Sequence, residues 1–192
     1  MKNRLSTLGA ALIIAAITFS FTGIEDGKKE IKTDKSSITW KGYKVTGTHE
    51  GQISIKSGHL DFNEGKLTSG EFTIDMTTIV NTDLEGEYKG KLEGHLKSDD
   101  FFGVEEFPTA NLIFNKVKST GNNVYEVSGD LTIKDQTQPV TFKISISGNK
   151  ATADLKIDRT KFGVKYRSTS FFDDLKDKAI YDEFDLSSNL EF

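Results

Sequence analysis

Metal or acid–base chemistry in this chain would begin with His49, His59 and His95, its three histidines. Their spacing forms no HExxH pair, and with no cysteine there is no CxxC set and no thiolate nucleophile. No G-x-S-x-G turn and no glycine-rich phosphate loop occurs. Asp99-Asp100 and Asp173-Asp174 are the right residue type for general acid–base work. Neighbours in sequence point apart, however, and capping of helix ends or plain solvation suits them better. Arg159 and Arg167 can each hold a polar ligand group through charged hydrogen bonds, with a barrel-end ion pair as the competing reading. The residues therefore show no catalytic constellation, no metal set and no cofactor motif.

The aromatics are the other candidates. In Ser98–Ala110, SDDFFGVEEFPTA, acids bracket Phe101, Phe102 and Phe107-Pro108. Adjacent aromatics set in charge suggest an apolar plug at a barrel mouth. Phe162, Phe171 and Phe172 fall in similar loop or helix-end positions. Such rings either cork a barrel and extend its core, or line a mouth that admits an apolar chain. Phe101, Phe102, Phe171 and Phe172 are the expected mouth and lid.

These residues need a frame, and the frame alternates. Ile53 and Ile55, then Phe72, Ile74 and Met76, have polar neighbours on either side. The same period runs through Tyr125, Val127, Leu131 and Ile133, with Gly129 in phase, and through Val140, Phe142, Ile144 and Ile146. Ala153, Leu155 and Ile157 continue it, as do Phe184, Leu186, Leu190 and Phe192. Period two gives one wet face and one dry face, the pattern of an antiparallel sheet. Turns are expected at Lys56-Ser57-Gly58, Asn63-Glu64-Gly65, Gly121-Asn122-Asn123 and Gly148-Asn149. About eight such strands must close or stack, since an open sheet leaves bare edges. The fold class is thus all-β, an antiparallel eight-stranded barrel with one or two short helices at its ends. An eight-stranded barrel is either filled by side chains or holds one small ligand. Small residues in phase, namely Gly129, Ala153, Ser188 and Thr78, favour a hollow.

One segment has a different period. Leu84, Tyr88, Leu92 and Leu96 recur every four residues, which predicts a helix face, with Glu85–Lys89 and Glu93–Lys97 as ion pairs. Gly86, Gly90 and Gly94 each cost such a helix about 1 kcal/mol against alanine. A second short helix is expected within Phe171 to Ile180.

The N-terminus reads separately. Lys2 and Arg4 precede an almost wholly apolar run, Leu8 to Phe21, the pattern of an export signal over residues 1–23; an uncleaved anchor is the alternative. A polar leader over 24–35 and a barrel domain over 36–192 follow. Loss of the signal takes the formal net charge from −4 to −6. An acidic surface argues against nucleic acid. Export without cysteine leaves the core alone to hold the fold. The expected location is the periplasm, or outside the cell.

Five segments in order resemble the YceI-like family, exported lipocalin-like proteins that bind polyisoprenoids or other long amphiphiles. They are Trp40-Lys41-Gly42 through Gly47–Gly51, then Phe72–Met76, then LEGHLKSDDFFGVEEFP over Leu92–Pro108. Gly129–Ile133 with Thr137–Val140, and Asp158–Val164, complete the set. Gly103, Phe107, Asp135 and Lys161 depart from the family pattern, at turns and rims. The resemblance implies a lipocalin-like barrel that binds a polyisoprenoid, an isoprenoid quinone or a fatty amphiphile as a periplasmic carrier or store. A structural or interaction protein with a filled core is the alternative. Tail contacts are expected from Trp40, Phe72, Ile74, Leu131, Ile133, Phe142, Ile144, Ala153, Leu155 and Ile157. His49 and Arg167 are the head-group candidates. The expected partners are a long-chain lipid or isoprenoid and, transiently, a membrane; a homodimer is left open.

Overall fold

A computed structural model describes residues 24–192; the expected export signal lies outside them. Nine strands are joined mostly by tight turns: β1 (Gly27–Glu30), β2 (Ser37–Lys44), β3 (Gly47–Asn63), β4 (Lys66–Asn81), β5 (Thr109–Gly121), β6 (Val124–Ile133), β7 (Gln136–Ser147), β8 (Lys150–Asp158) and β9 (Ile180–Glu191). The one α-helix among the described residues, α1 (Gly86–Lys97), links β4 to β5.

The order across the sheet is β1-β3-β2-β9-β8-β7-β6-β5-β4, every pairing is antiparallel, and β3 also pairs with β4. That last ladder closes β2–β9 into an eight-stranded barrel. Closure needs sharp bending, and β3–β4 supplies it with register shifts between Gln52 and Ser54, Ile55 and Ser57, and Asp61 and Phe62.

The segment expected to be a polar leader contains a strand. Gly27–Glu30 pairs with His59–Phe62, along the part of β3 beyond the end of β2, and Ile31 is buried behind it. Backbone hydrogen bonds need no apolar alternation, so GKKE forms an edge strand.

Inward side chains fall into two clusters stacked along the barrel axis. One surrounds Leu60, Val127 and Ile144, each almost wholly excluded from solvent, and includes Phe72, Phe114 and Phe142. The other joins Trp40, Ile53, Met76, Ile133 and Phe162 to the helix through Leu96 and to the following loop through Phe101, Phe102 and Val104.

Helix α1 differs from expectation. Only Leu96 of the leucine stripe is buried, and Tyr88 is 73% exposed. The ion pairs are Glu87–Lys91 at 2.6 Å and Lys89–Glu93 at 3.9 Å. Glu85 stays extended ahead of the first turn, and Glu93 accepts a hydrogen bond from the Asn81 amide at 2.8 Å, so neither expected pair forms. The second helix is a single 3₁₀ turn, Lys176–Lys178.

Two stability measurements check these features. Leu60→Ala should lower the unfolding free energy in urea by about 2–5 kcal/mol, through lost burial plus a cavity. A Cβ at Gly90 or Gly94 meets nothing within 4 Å, so each alanine there should raise stability by about 0.5–1 kcal/mol.

Candidate functional site

The barrel half beside α1 is hollow. A water-sized sphere can move through 180 Å³ of it, many times the ~10–15 Å³ that one water requires. Alternate residues of the strands supply the wall: Ile38 and Trp40 of β2, Ile74 and Met76 of β4, Leu131 and Ile133 of β6, and Phe184 and Leu186 of β9, with Ile79 of β4 added past a register shift. Ala110 of β5 leaves space opposite. Leu92, His95 and Leu96 of α1, with Phe101 and Phe102, cover one side. The polar groups gather where the exposed residues Tyr181 and Glu183 mark the opening, together with Tyr43, Lys44 and His49.

The loop after α1 is pinned so that its two phenylalanines face inward. Phe102 N–H donates to the Leu96 carbonyl at 3.2 Å, Gly103 N–H to Ser98 at 2.8 Å, and Val104 N–H to Lys97 at 2.9 Å. Lys134 Nζ donates to the carbonyls of Asp99 and Phe101 at 3.0 and 2.9 Å. The three backbone bonds satisfy carbonyls that the helix end leaves open, and Lys134 holds the loop beyond it.

Trp40 is fixed by an indole N–H donated to the Val80 carbonyl at 3.2 Å. The ring packs against Gly51, where a Cβ would stand 1.9 Å from that carbonyl oxygen and 2.5 Å from the ring. Only glycine allows the approach.

Asn81 ties the helix to the barrel. Fully buried, it donates through Nδ2 to the Glu50 carbonyl at 2.8 Å and to Asp83, and its Oδ1 accepts from Leu84 N–H at 2.9 Å. Asp83 in turn accepts from Glu50 N–H at 2.9 Å and pairs with His49 Nδ1 at 2.8 Å. Burial pushes the Asp83 carboxyl up, but the Glu50 amide and the His49 and Asn81 side chains outweigh it and hold the group below its ordinary range. The carboxylate fixes the ring of His49 at the rim.

Arg159 is 3% exposed and lines the cavity. Its guanidinium donates to three backbone carbonyls: Tyr181 at 3.0 Å, Val164 at 2.8 Å and Ile180 at 3.0 Å. Asp182 stands 3.6 Å away, and the Phe101 ring centroid 5.6 Å away. Burial depresses its pKa, against the pull of Asp182 and Asp158. This arginine holds the segment Arg159–Val164 to the first residues of β9, leaving few donors for a ligand.

At the same opening Tyr43 donates to Asp185, which also meets Lys156 at 2.8 Å. Lys156 and then Tyr43 hold the Asp185 carboxyl below its ordinary range. Among the described residues no group of three or more histidines or acids is placed to hold a metal ion.

The structure divides the residues singled out by the sequence. Trp40, Ile74, Leu131, Ile133, Phe101, Phe102 and His49 line the cavity. Phe72, Phe142, Ile144 and Ala153 point inward as well, but belong to the cluster that fills the other half. Leu155 and Ile157 border a separate surface cleft with Val140 and Phe162. Phe171 and Phe172 are about half exposed, the first with Lys165 Nζ 4.6 Å from its ring centroid. Neither lines the cavity, and nor does Arg167, which stacks at 5.0 Å on Tyr166. Met76, Ile79, Ala110, Leu186 and His95 line it without having been named as ligand contacts. Strand alternation points to Met76, Ala110 and Leu186, whereas Ile79 is brought inward by the register shift in β4 and His95 lies on the helix.

The model of the YceI-like domain matches residues 30–192. A UPF0312 protein of Shewanella denitrificans is 27% identical over 150 residues, 77% of this chain and 75% of that protein. A UPF0312 protein of Pseudomonas putida is 30% identical over 127 residues, 62% of either chain. Among solved structures, BcnA of Burkholderia cenocepacia shares the fold at a TM-score of 0.66 and 22% identity, over 83% of this chain and 98% of that one. A polyisoprenoid binding domain from Saccharophagus degradans does so at 0.62 and 12%, over 86% and 97%.

Two experiments probe the rim and the wall. Asp83 is stabilised as a carboxylate in the fold, so its contribution is present above its ordinary pKa of 3.8. It is lost as the pH falls from there through the depressed folded value. Asp83→Asn should remove that part of the acid loss from a stability–pH profile. Arg159→Ala leaves three carbonyls without donors and should lower the unfolding free energy by about 3–5 kcal/mol in chemical denaturation.

Proposed function

Because the chain belongs to the YceI-like family, we propose that it binds a long-chain apolar ligand in the hollow half of its barrel, as a carrier or store in the periplasm. The observation that carries the reading is a cavity walled by aliphatic and aromatic side chains, with polar groups confined largely to its opening. Such a site takes hydrocarbon inside and leaves a head group at the rim.

The chemistry around the cavity favours binding over turnover. Arg159 is committed to backbone carbonyls. The His49–Asp83 pair sits at the rim, where it can accept from or donate to a head group. A polyisoprenoid, an isoprenoid quinone and a fatty amphiphile all present the required combination of tail and head. The solved Saccharophagus degradans neighbour, described as a polyisoprenoid binding domain, lends the first of these support.

Hydrocarbon gains ~0.8 kcal/mol per CH₂ on leaving water, and a membrane offers nearly the same gain. Exchange between protein and membrane is therefore close to balanced, as a carrier requires. No helix of the described residues is long and apolar enough to cross a membrane.

Mass spectrometry of an organic extract of the native protein tests the reading. A long-chain species near one per protein is expected, and a clean blank speaks for the filled, structural alternative. Trp40 is the chain's single tryptophan and lies in the cavity wall, so adding the extracted species to stripped protein should shift its emission. Ala110→Phe narrows the cavity and should weaken that binding at least tenfold with the fold intact by circular dichroism.

A further inference from the structure

Below Ile74 and Leu131 the cavity stops, and what stops it is a set of rings. The next inward residue of β4 is Phe72, of β5 below Leu112 it is Phe114, and of β7 below Val140 it is Phe142. The ring centroids of Phe72 and Phe114 are 5.8 Å apart, and those of Phe114 and Phe142 5.6 Å, the second pair edge to face. None of the three lines the cavity. Beneath them Leu60, Val127 and Ile144 leave almost nothing accessible.

Two glycines make room for this layer. A Cβ at Gly70 would stand 2.8 Å from the Phe114 ring, and one at Gly58 2.7 Å from the Phe72 ring. The wall is stripped to backbone there and the rings occupy the space gained. Small residues in this half serve the protein's own aromatics rather than a ligand.

We infer that the Phe72–Phe114–Phe142 layer is the floor of the ligand site and sets the length of hydrocarbon it accepts. The inference rests on the binding role proposed above. On β2 the cavity lining runs from Ile38 to Lys44, six residue steps or roughly 20 Å of strand. With strands tilted by about 35–45° the depth along the barrel axis is ~15 Å. A zigzag of ~1.5 Å carbon–carbon bonds advances about 1.25 Å per atom, so a straight chain of about twelve carbons reaches the floor. The ligand class is a single-chain amphiphile that inserts about a dozen carbons; a longer chain leaves its remainder at the mouth.

The test titrates straight-chain alkanoates from eight to eighteen carbons into stripped protein and follows Trp40 emission. Wild-type affinity should rise about fourfold per added carbon and level off near twelve. Phe114→Ala should move that plateau outward by about three carbons, the depth of one ring at ~1.25 Å per carbon. Phe114→Leu keeps most of the packing, and should move it by about one if the alanine variant fails to melt cooperatively. Leu190→Ala, in the filled half away from the three rings, should leave the plateau in place. A plateau unmoved in folded Phe114 variants, or affinity still rising at eighteen carbons in the wild type, overturns the floor alone. No alkanoate binding by the wild type overturns the binding role itself, and the floor with it.

Discussion

Closure of the barrel through the β3–β4 ladder is the constraint from which the other features follow. A closed wall has no sheet edge inside it, so every second residue of eight strands must point into one narrow lumen. That lumen has a fixed cross-section, and whether it is solid or hollow depends on the sizes of the side chains that meet at each level. Rings from three strands meet at the level of Phe72, Phe114 and Phe142 and fill it. One step nearer the helix, Ile74, Ala110 and Leu131 meet, and they do not.

The alternation that produced this wall was plain in the chain, because burial on one face forces apolar residues to every second position. The division of the lumen was not. Phe142, Ile144 and Leu131 share the same phase, and nothing within a strand says at which level its neighbours place a ring. That information lies in register between strands distant in sequence. The edge strand Gly27–Glu30 escaped for a different reason: it pairs through its backbone, and GKKE carries no apolar signature. Arg159 was visible as a charged candidate, but its partners are carbonyls of Val164, Ile180 and Tyr181, which no residue type reveals.

The polar interior is organised around the backbone as well. Asn81 and Arg159 are both buried, and both hold chain segments together rather than presenting free groups to the cavity. Buried polar groups are tolerated when they are hydrogen-bonded. Here the engagement fixes α1 and the start of β9 around the opening. The helix itself carries Gly86, Gly90 and Gly94, so its position depends on the Asn81–Glu93 contact and on Leu96 far more than on propensity.

The two stacked clusters divide the work of the domain between different amino acids. Both halves contribute buried core, but only the half beside α1 also holds an open space. Ile38, Ile74, Leu112, Val140 and Leu155 border both clusters, so substitutions there couple the two halves, whereas those far from this border act nearly additively. Under the binding role proposed above, positions that line the hollow away from this border are where a designer can reshape the compartment while the folding core stays as it is.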